Sequence, residues 1–156
     1  MDDKILYLMR GIPGSGKSVV AQMIANGTNG LICSTDDYWL DEDGNYLFDS
    51  NRLGDAHKGN QRKVAEAMGR GESSIIVDNM NIQARVLTPY LTLASLFGYT
   101  VQVIDVSTDF ETASRRNSER PSIRQVPESV LNNMDYNLNQ IGRFDISRLL
   151  SEIDNS

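Results

Sequence analysis

The 156 residues suffice for one well-packed domain and are too few for two ordinary ones. Hydrophobic content of 40% and charged content of 23% are those of a soluble globular protein, no apolar run approaches bilayer-spanning length, and Met1-Asp2-Asp3-Lys4 lacks a signal-peptide pattern. A net charge of −6 argues against tracking along nucleic acid, which needs a continuous basic surface, but leaves room for a grip on one strand end.

The first element is Ile5 to Met9, an apolar run short enough for a central parallel strand. Gly11-Ile12-Pro13-Gly14-Ser15-Gly16-Lys17-Ser18 follows and matches G-x-x-x-x-G-K-[ST], the phosphate-binding loop. Its glycines let the backbone wrap around phosphate oxygens with N–H groups turned inward. Lys17 adds a cation, Ser18 a hydroxyl for Mg²⁺, and the helix opening at Val19 its positive end. The nucleotide-binding set is therefore Gly11, Gly14, Ser15, Gly16, Lys17, Ser18 and Val19. The helix should end near Asn26-Gly27, with Gly27 as a left-handed cap.

Leu31 to Ser34 reads as a second strand. It carries the only cysteine, Cys33, which can form no internal disulfide and suits a small buried position in a reducing cytoplasm. Thr35-Asp36-Asp37-Tyr38-Trp39 leads into an acidic loop through Asp49, long enough to be functional or mobile. A helix over about Asn51 to Gly69 should bury Leu53, Ala56, Val64, Ala67 and Met68. Ser74 to Asp78 is a strand ending in a carboxylate. Another helix covers about Gln83 to Phe97, capped by Gly98, with Pro89 predicting a break and restart at Thr88.

Thr100 to Val106 is the fourth strand. A basic helix over about Asp109 to Glu119 follows and ends at Pro121, and a further helix starts at Pro127 with Val130, Leu131, Met134 and Leu138 on its apolar stripe. Asp145 to Ile153 could form one more. Strands alternating with helices predict an α/β fold of the P-loop NTPase type. It is a single domain over 1–156, with a parallel sheet of four to five strands, helices on both faces and an arginine-bearing lid near 109–127. Ligands in such sheets lie beyond the strands' carboxyl ends, where the phosphate loop, Asp36-Asp37 and Asp78 all fall.

Three sets of side chains could do chemistry there. Asp78 is placed to serve magnesium opposite Ser18, the alternatives being a helix cap or a bond to Ser18 without metal. Asp36, favoured over Asp37, could take the proton of an acceptor hydroxyl, unless the pair only caps or solvates the loop. Arg116 and Arg120, four apart on one helix face, could clamp phosphoryl oxygens, joined by Arg115 or Arg124; the alternative is a solvated face paired with Glu111 and Glu119. His57, the only histidine, reads as structural. Trp39, Tyr38, Tyr46 and Phe48 either stack on an acceptor base or fold the long loop onto the core.

Taken together, the phosphate loop, Thr35-Asp36-Asp37-Tyr38, Ala56-His57-Lys58-Gly59-Asn60-Gln61, Asp78-Asn79-Met80-Asn81 and Arg116-Asn117-Ser118-Glu119-Arg120 resemble the kinase domain of phage-type polynucleotide kinases. They resemble equally the small kinases of the AAA-type ATP-binding superfamily. The likeness runs in order from about residue 4 to about 135. It implies Asp36 as general base, and Arg116 and Arg120 on the ATP phosphates. The sequence departs at Trp39, where the phage enzymes carry an arginine that contacts the acceptor's 3′-phosphate. The resulting expectation is ATP- and Mg²⁺-dependent transfer of the γ-phosphate to a hydroxyl, most naturally the 5′-OH of a nucleic-acid end. The catalytic set would be Lys17, Asp36, Arg116 and Arg120, with Ser18 and Asp78 on the metal. A small-metabolite kinase (sugar acid, antibiotic or nucleotide sugar) is the alternative within catalysis. A non-catalytic nucleotide module is the alternative outside it, weakened by the absence of a guanine-specific Asn-Lys-x-Asp motif.

Overall fold

A computed structural model describes residues 3–81, 83–106, 109–120 and 125–140, together with Arg148 and Ser151. Four described strands form a parallel sheet in the order β2-β3-β1-β4. They are β1 (Ile5–Arg10), β2 (Leu31–Cys33), β3 (Ser74–Val77) and β4 (Thr100–Asp105). Five helices accompany them among the described residues: α1 (Lys17–Thr28), α2 (Leu53–Gly69), α3 (Ala84–Phe97), α4 (Phe110–Glu119) and α5 (Glu128–Gln140). The expected α/β sheet with helices on both faces is the fold observed, with four strands.

The period-2 geometry of the strands sorts their side chains into two cores. Leu6, Leu8, Ile75, Val77, Val101 and Val103 face α2 and α3, where Val64, Ala67, Leu87, Tyr90, Leu91 and Ala94 cover them. Tyr7, Met9, Ile76 and Ile104 face the other way, onto Ala21 and Ala25 of α1. Cys33 lies in the first core and is fully buried, as expected. A third, smaller cluster of Ile12, Ala113 and Leu131 fastens α4 and α5 to the phosphate loop.

Several local expectations are corrected. Helix α1 continues past Gly27 to Thr28, and the left-handed residue is Asn29 (φ 55°), a residue type that tolerates this conformation. Thr28 explains the extension, since its hydroxyl donates to Ile24 O and pairs with Ser74 across to β3. Leu53 sits on the exposed side of α2, whereas Ala56, Val64, Ala67 and Met68 are buried as predicted. Helix α3 runs unbroken through Pro89. Only the backbone bond to Arg85 O is forfeited there, and Arg85 is exposed, so water can replace it. Thr88 therefore caps nothing and instead back-bonds to Ala84 O. Gly98 (φ 77°) caps α3 as predicted. Arg124 and most of the tail over 145–153 lie outside the described residues.

His57 is half-buried between α2 and Arg85, and its pKa is lowered from 6.5, first by burial and then by the arginine's charge. The unfolded chain therefore binds the proton more readily than the folded one, and stability falls as pH drops below about 6.5. Replacing it, His57→Gln, should flatten the pH dependence of the melting temperature between about pH 5 and 6.5 while leaving the value at pH 8 nearly unchanged. Thermal melts of both proteins across that range check this.

Candidate active site

The phosphate loop connects β1 to α1 at the carboxyl edge of the sheet, and backbone geometry explains its glycines. Gly14 and Gly16 have φ of 85° and 96°, in the left-handed region that side chains rarely adopt. A Cβ on Gly14 would also lie 2.5 Å from Ala113 O, because α4 rests directly on the loop. A Cβ on Gly11 would meet Ser15 Oγ and Val106 O at 2.7 Å each. Gly16 is the N-cap of α1, so the first-turn N–H groups of Lys17, Ser18 and Val19 face the loop without intrahelical partners. Val19 can offer only that backbone group, since its side chain is 67% exposed. Ser15 is buried and its Oγ has no hydrogen-bond partner, as expected of a hydroxyl facing a ligand cradle.

Lys17 is the electrostatic centre. Burial lowers its pKa from 10.5, and the carboxylates of Asp78 and then Asp36 act in the opposite sense, while Arg120 adds to the lowering. Three of the predicted residues, from three separate segments, therefore lie near enough to Lys17 for their charges to act on it. Asp78 follows β3, whose end is joined to β2 by Asp78 N–H donating to Cys33 O at 3.0 Å. Its Oδ1 is buried and without a hydrogen-bond partner, so Asp78 neither caps α3, whose N-cap is Gln83, nor bonds Ser18 through that atom. A buried, unpartnered carboxylate oxygen and an exposed serine hydroxyl are oxygen donors of the kind that suits magnesium. Among the described residues no group of three His, Cys, Asp or Glu side chains gathers. An ion here would complete its shell with phosphate oxygens and water.

Asp36 and Asp37 both lie in the 3-10 turn over Thr35–Trp39 and have different partners. Asp37 is paired with Lys63 Nζ at 3.2 Å. Asp36 is exposed, accepts from Tyr46 Oη at 3.3 Å, and is the member of the pair that acts on Lys17. Trp39 is 4% exposed and packs edge-on against Tyr38 and Phe48, with centroids 5.0 Å apart in each case. It folds the long loop onto the domain rather than offering a stacking face. Tyr38 instead accepts from Arg52 Nη2 at 2.5 Å. Clefts of about 320 and 150 Å³ lie along this turn, the first floored by Tyr38, Trp39 and Leu47 and the second between Ser34, Asn60 and Lys63.

Helix α4 brings Arg116 over the loop, whereas Arg120 is its C-cap in extended backbone (φ −72°, ψ 156°), so the expected pair on one helix face is not formed. Asp109 caps it, accepting from the Thr112 N–H at 2.7 Å, and Arg116 Nη1 donates to Gly14 O at 3.0 Å. Among the described residues neither Arg116 nor Arg120 pairs with Glu111 or Glu119. Asn117 exchanges two hydrogen bonds with Val126, at 3.0 and 2.7 Å, and Gln125 donates to Ser118 O and Arg120 O. These bonds hold the end of α4, and Arg120 with it.

Sequence reasoning quoted the two asparagines after Asp78 as part of a motif but gave them no role. Asn81, in the left-handed region (φ 52°) and 1% exposed, donates to Met9 O at 2.6 Å. Arg10 Nε returns a bond to Asn81 O, so this corner fixes the entrance to the phosphate loop. Asn79 accepts from Thr35 N and Oγ1, tying β3 to the turn that carries Asp36. Polar side chains directly after a buried strand were the available signal, since such groups must be bonded.

An AAA-domain family model (AAA_33) matches residues 6–141. The chain belongs to this family. Human NEDD4-binding protein 2 is 44% identical over 98 residues, covering 62% of this chain and 6% of that protein. Human YLP motif-containing protein 1 is 24% identical, covering 96% of this chain and 8% of that one. The chain thus spans a small part of these curated relatives. Among solved structures, a chain of the Pnkp1/Rnl/Hen1 RNA repair complex superimposes with a TM-score of 0.74 at 18% identity, over 95% of this chain and 47% of that one. A gluconokinase from Sinorhizobium meliloti 1021 does so with 0.56 at 16%, over 99% and 88%. The fold is that of P-loop kinases. No helix among the described residues is long and apolar enough to cross a membrane.

A half-buried lysine kept charged without a bound anion opposes folding in this state, and the penalty eases as pH rises towards 10.5. Lys17→Met should therefore raise the melting temperature of the ligand-free protein at pH 7, by about 2–4 °C for each kcal/mol relieved. ATP with Mg²⁺ should raise the melting temperature of the wild type and leave that of the variant unchanged. Differential scanning fluorimetry with and without nucleotide measures both effects.

Proposed function

We propose that this chain is an ATP- and Mg²⁺-dependent phosphotransferase, folded as one domain over 1–156, that moves the γ-phosphate to a hydroxyl at the 5′ end of a polynucleotide. The observation that supports the reading is a phosphate loop with Arg116 bonded to Gly14 O, a buried and unpartnered Asp78 Oδ1, and the charges of Asp78, Asp36 and Arg120 acting on Lys17. Gly11, Gly14, Ser15, Gly16, Lys17, Ser18 and Val19 cradle the triphosphate. Ser18 and Asp78 hold magnesium, which when bound neutralises charge on the β- and γ-phosphate oxygens. Asp36 accepts the proton of the acceptor hydroxyl while its oxygen bonds the γ-phosphorus, the bond to the β-phosphate oxygen breaks, and ADP leaves. Arg116 and Arg120 meet the negative charge on the transferring group.

The nucleic-acid acceptor is supported by the family motifs and by the shared fold with a chain of an RNA repair complex over 95% of this sequence. A small hydroxylated metabolite is the second reading, favoured by the gluconokinase that this chain covers to 88% and by Trp39, which leaves no arginine at that position.

Incubation with γ-labelled ATP and Mg²⁺, with 5′-OH oligonucleotides in one reaction and sugar acids and other small alcohols in another, separates the readings. Label should appear on the oligonucleotide, and Asp36→Asn should slow transfer by about 100-fold or more with ATP affinity little changed. Label on metabolites alone establishes the second reading. ATP binding with no transfer to either acceptor makes the chain a nucleotide-binding module.

A further inference from the structure

We propose that Asn79 is a positioning residue that holds the turn carrying Asp36 at a fixed offset from Asp78, with Tyr90 and Asn60 setting the orientation of its amide. The inference deepens the phosphotransferase reading and rests on it. Asn79 is 7% exposed and directly follows Asp78. Its Oδ1 accepts twice from Thr35, from N at 2.9 Å and from Oγ1 at 3.0 Å, and Thr35 directly precedes Asp36. One side chain thus joins the neighbours of the two carboxylates that flank Lys17.

The orientation of that amide is chemically determined. A backbone N–H can only donate, so the oxygen of Asn79 must face Thr35 and its nitrogen must face the opposite way. There Nδ2 donates to Tyr90 Oη at 3.4 Å. Asn60 Nδ2 donates to the same phenol oxygen at 2.9 Å and to Cys33 O at 3.5 Å. Tyr90 is fully buried on α3 and Asn60 is 2% exposed on α2. Helix α2 and the end of β3 therefore meet at one phenol oxygen on α3, and the same two asparagines bond the end of β2 and the turn.

Asp36 needs such a device because nothing rigid holds its own side chain. Its carboxylate is exposed and, among the described residues, accepts one side-chain hydrogen bond, from Tyr46 Oη at 3.3 Å. Its position must come from the backbone, fixed at Thr35 by Asn79 and at its own N–H by Ser34 Oγ at 3.2 Å. A nucleophile misplaced by about 1 Å loses on the order of 100-fold in rate, so a loosened turn should be felt in turnover rather than in nucleotide binding.

The test uses Asn79→Ala, Thr35→Val, Thr35→Ser and Tyr90→Phe in the full chain. Steady-state transfer is measured with the acceptor that the wild type labels. Asn79→Ala and Thr35→Val should lower kcat by about 10-fold or more with KM for ATP within about twofold. Thr35→Ser, which keeps the donating hydroxyl, should restore the wild-type rate, and Tyr90→Phe should fall between. If Asn79→Ala does not fold, the Thr35→Val and Thr35→Ser pair carries the test. Equal kcat for Thr35→Val and wild type, with Asp36→Asn inactive, overturns the inference and leaves the kinase reading intact. Should the wild type transfer phosphate to no acceptor, the kinase reading fails and amide hydrogen exchange decides the positioning separately. Faster exchange at Thr35 and Asp36 in Thr35→Val or Asn79→Ala at unchanged global stability upholds it, and unchanged exchange overturns it.

Discussion

A positive charge half-buried at the base of the phosphate loop is the constraint on which the site depends. The ammonium of Lys17 loses hydration and is flanked by too few protein acceptors to replace it, which is why burial outweighs two carboxylates in its pKa. Such a group is stable in place only if the surrounding backbone cannot collapse onto it or open away from it. The loop meets that demand through contacts too close for any side chain: Gly14 against Ala113, and Gly11 against Val106. Helix α4 is thus part of the cradle wall. Arg116 reinforces it by bonding the Gly14 carbonyl, one donor of the five on its guanidinium.

The second constraint is the fate of polar groups where parallel strands end. A parallel sheet buried on both faces exposes its backbone only at its edges and ends, and the loops leaving it must satisfy that backbone. Here asparagines do so. Asn81 bonds Met9 O where β1 becomes the phosphate loop, Asn60 reaches Cys33 O at the end of β2, and Asn79 bonds Thr35 one step further. An asparagine side chain carries the donors and acceptor of a peptide group, so it can stand in for a missing strand neighbour. Under the proposed reading, one of these asparagines, Asn79, also links the neighbours of the carboxylates assigned to metal and acceptor.

This division explains what the sequence disclosed. The sheet was legible because apolar runs such as Ile5–Met9 and Ser74–Val77 have no other use in a short chain. The phosphate loop was legible because its chemistry dictates residue type at four of its eight positions, Gly11, Gly16, Lys17 and Ser18. Element ends were less so. Gly27 looked like a cap, yet Thr28 could bond both Ile24 O and Ser74, and that tertiary bond carried the helix one residue further. Pro89 looked like a break, yet near a helix start it forfeits a single bond, and the packed faces of Leu87, Tyr90 and Leu91 outweigh that loss. The sequence favoured Asp36 over Asp37 as the acceptor-side candidate, but the ion pair that engages Asp37 with Lys63 could not be read without α2 in place.

The acceptor side follows from a different balance. Trp39 is buried between Tyr38 and Phe48, so the aromatic content of the long loop serves chiefly to fasten it. What remains exposed beside Asp36 is mixed: the ring of Tyr38, the cation of Arg52 stacked on it at 5.4 Å, and the Asp37–Lys63 pair. A continuous basic groove would favour long strands through many phosphate contacts, and this surface supplies isolated cations between acids. Such a surface can hold one nucleotide or one sugar but gains little from length. Under the proposed reading, recognition is therefore confined to the terminal unit that bears the hydroxyl. The net charge of −6 is consistent with an acceptor held by its end.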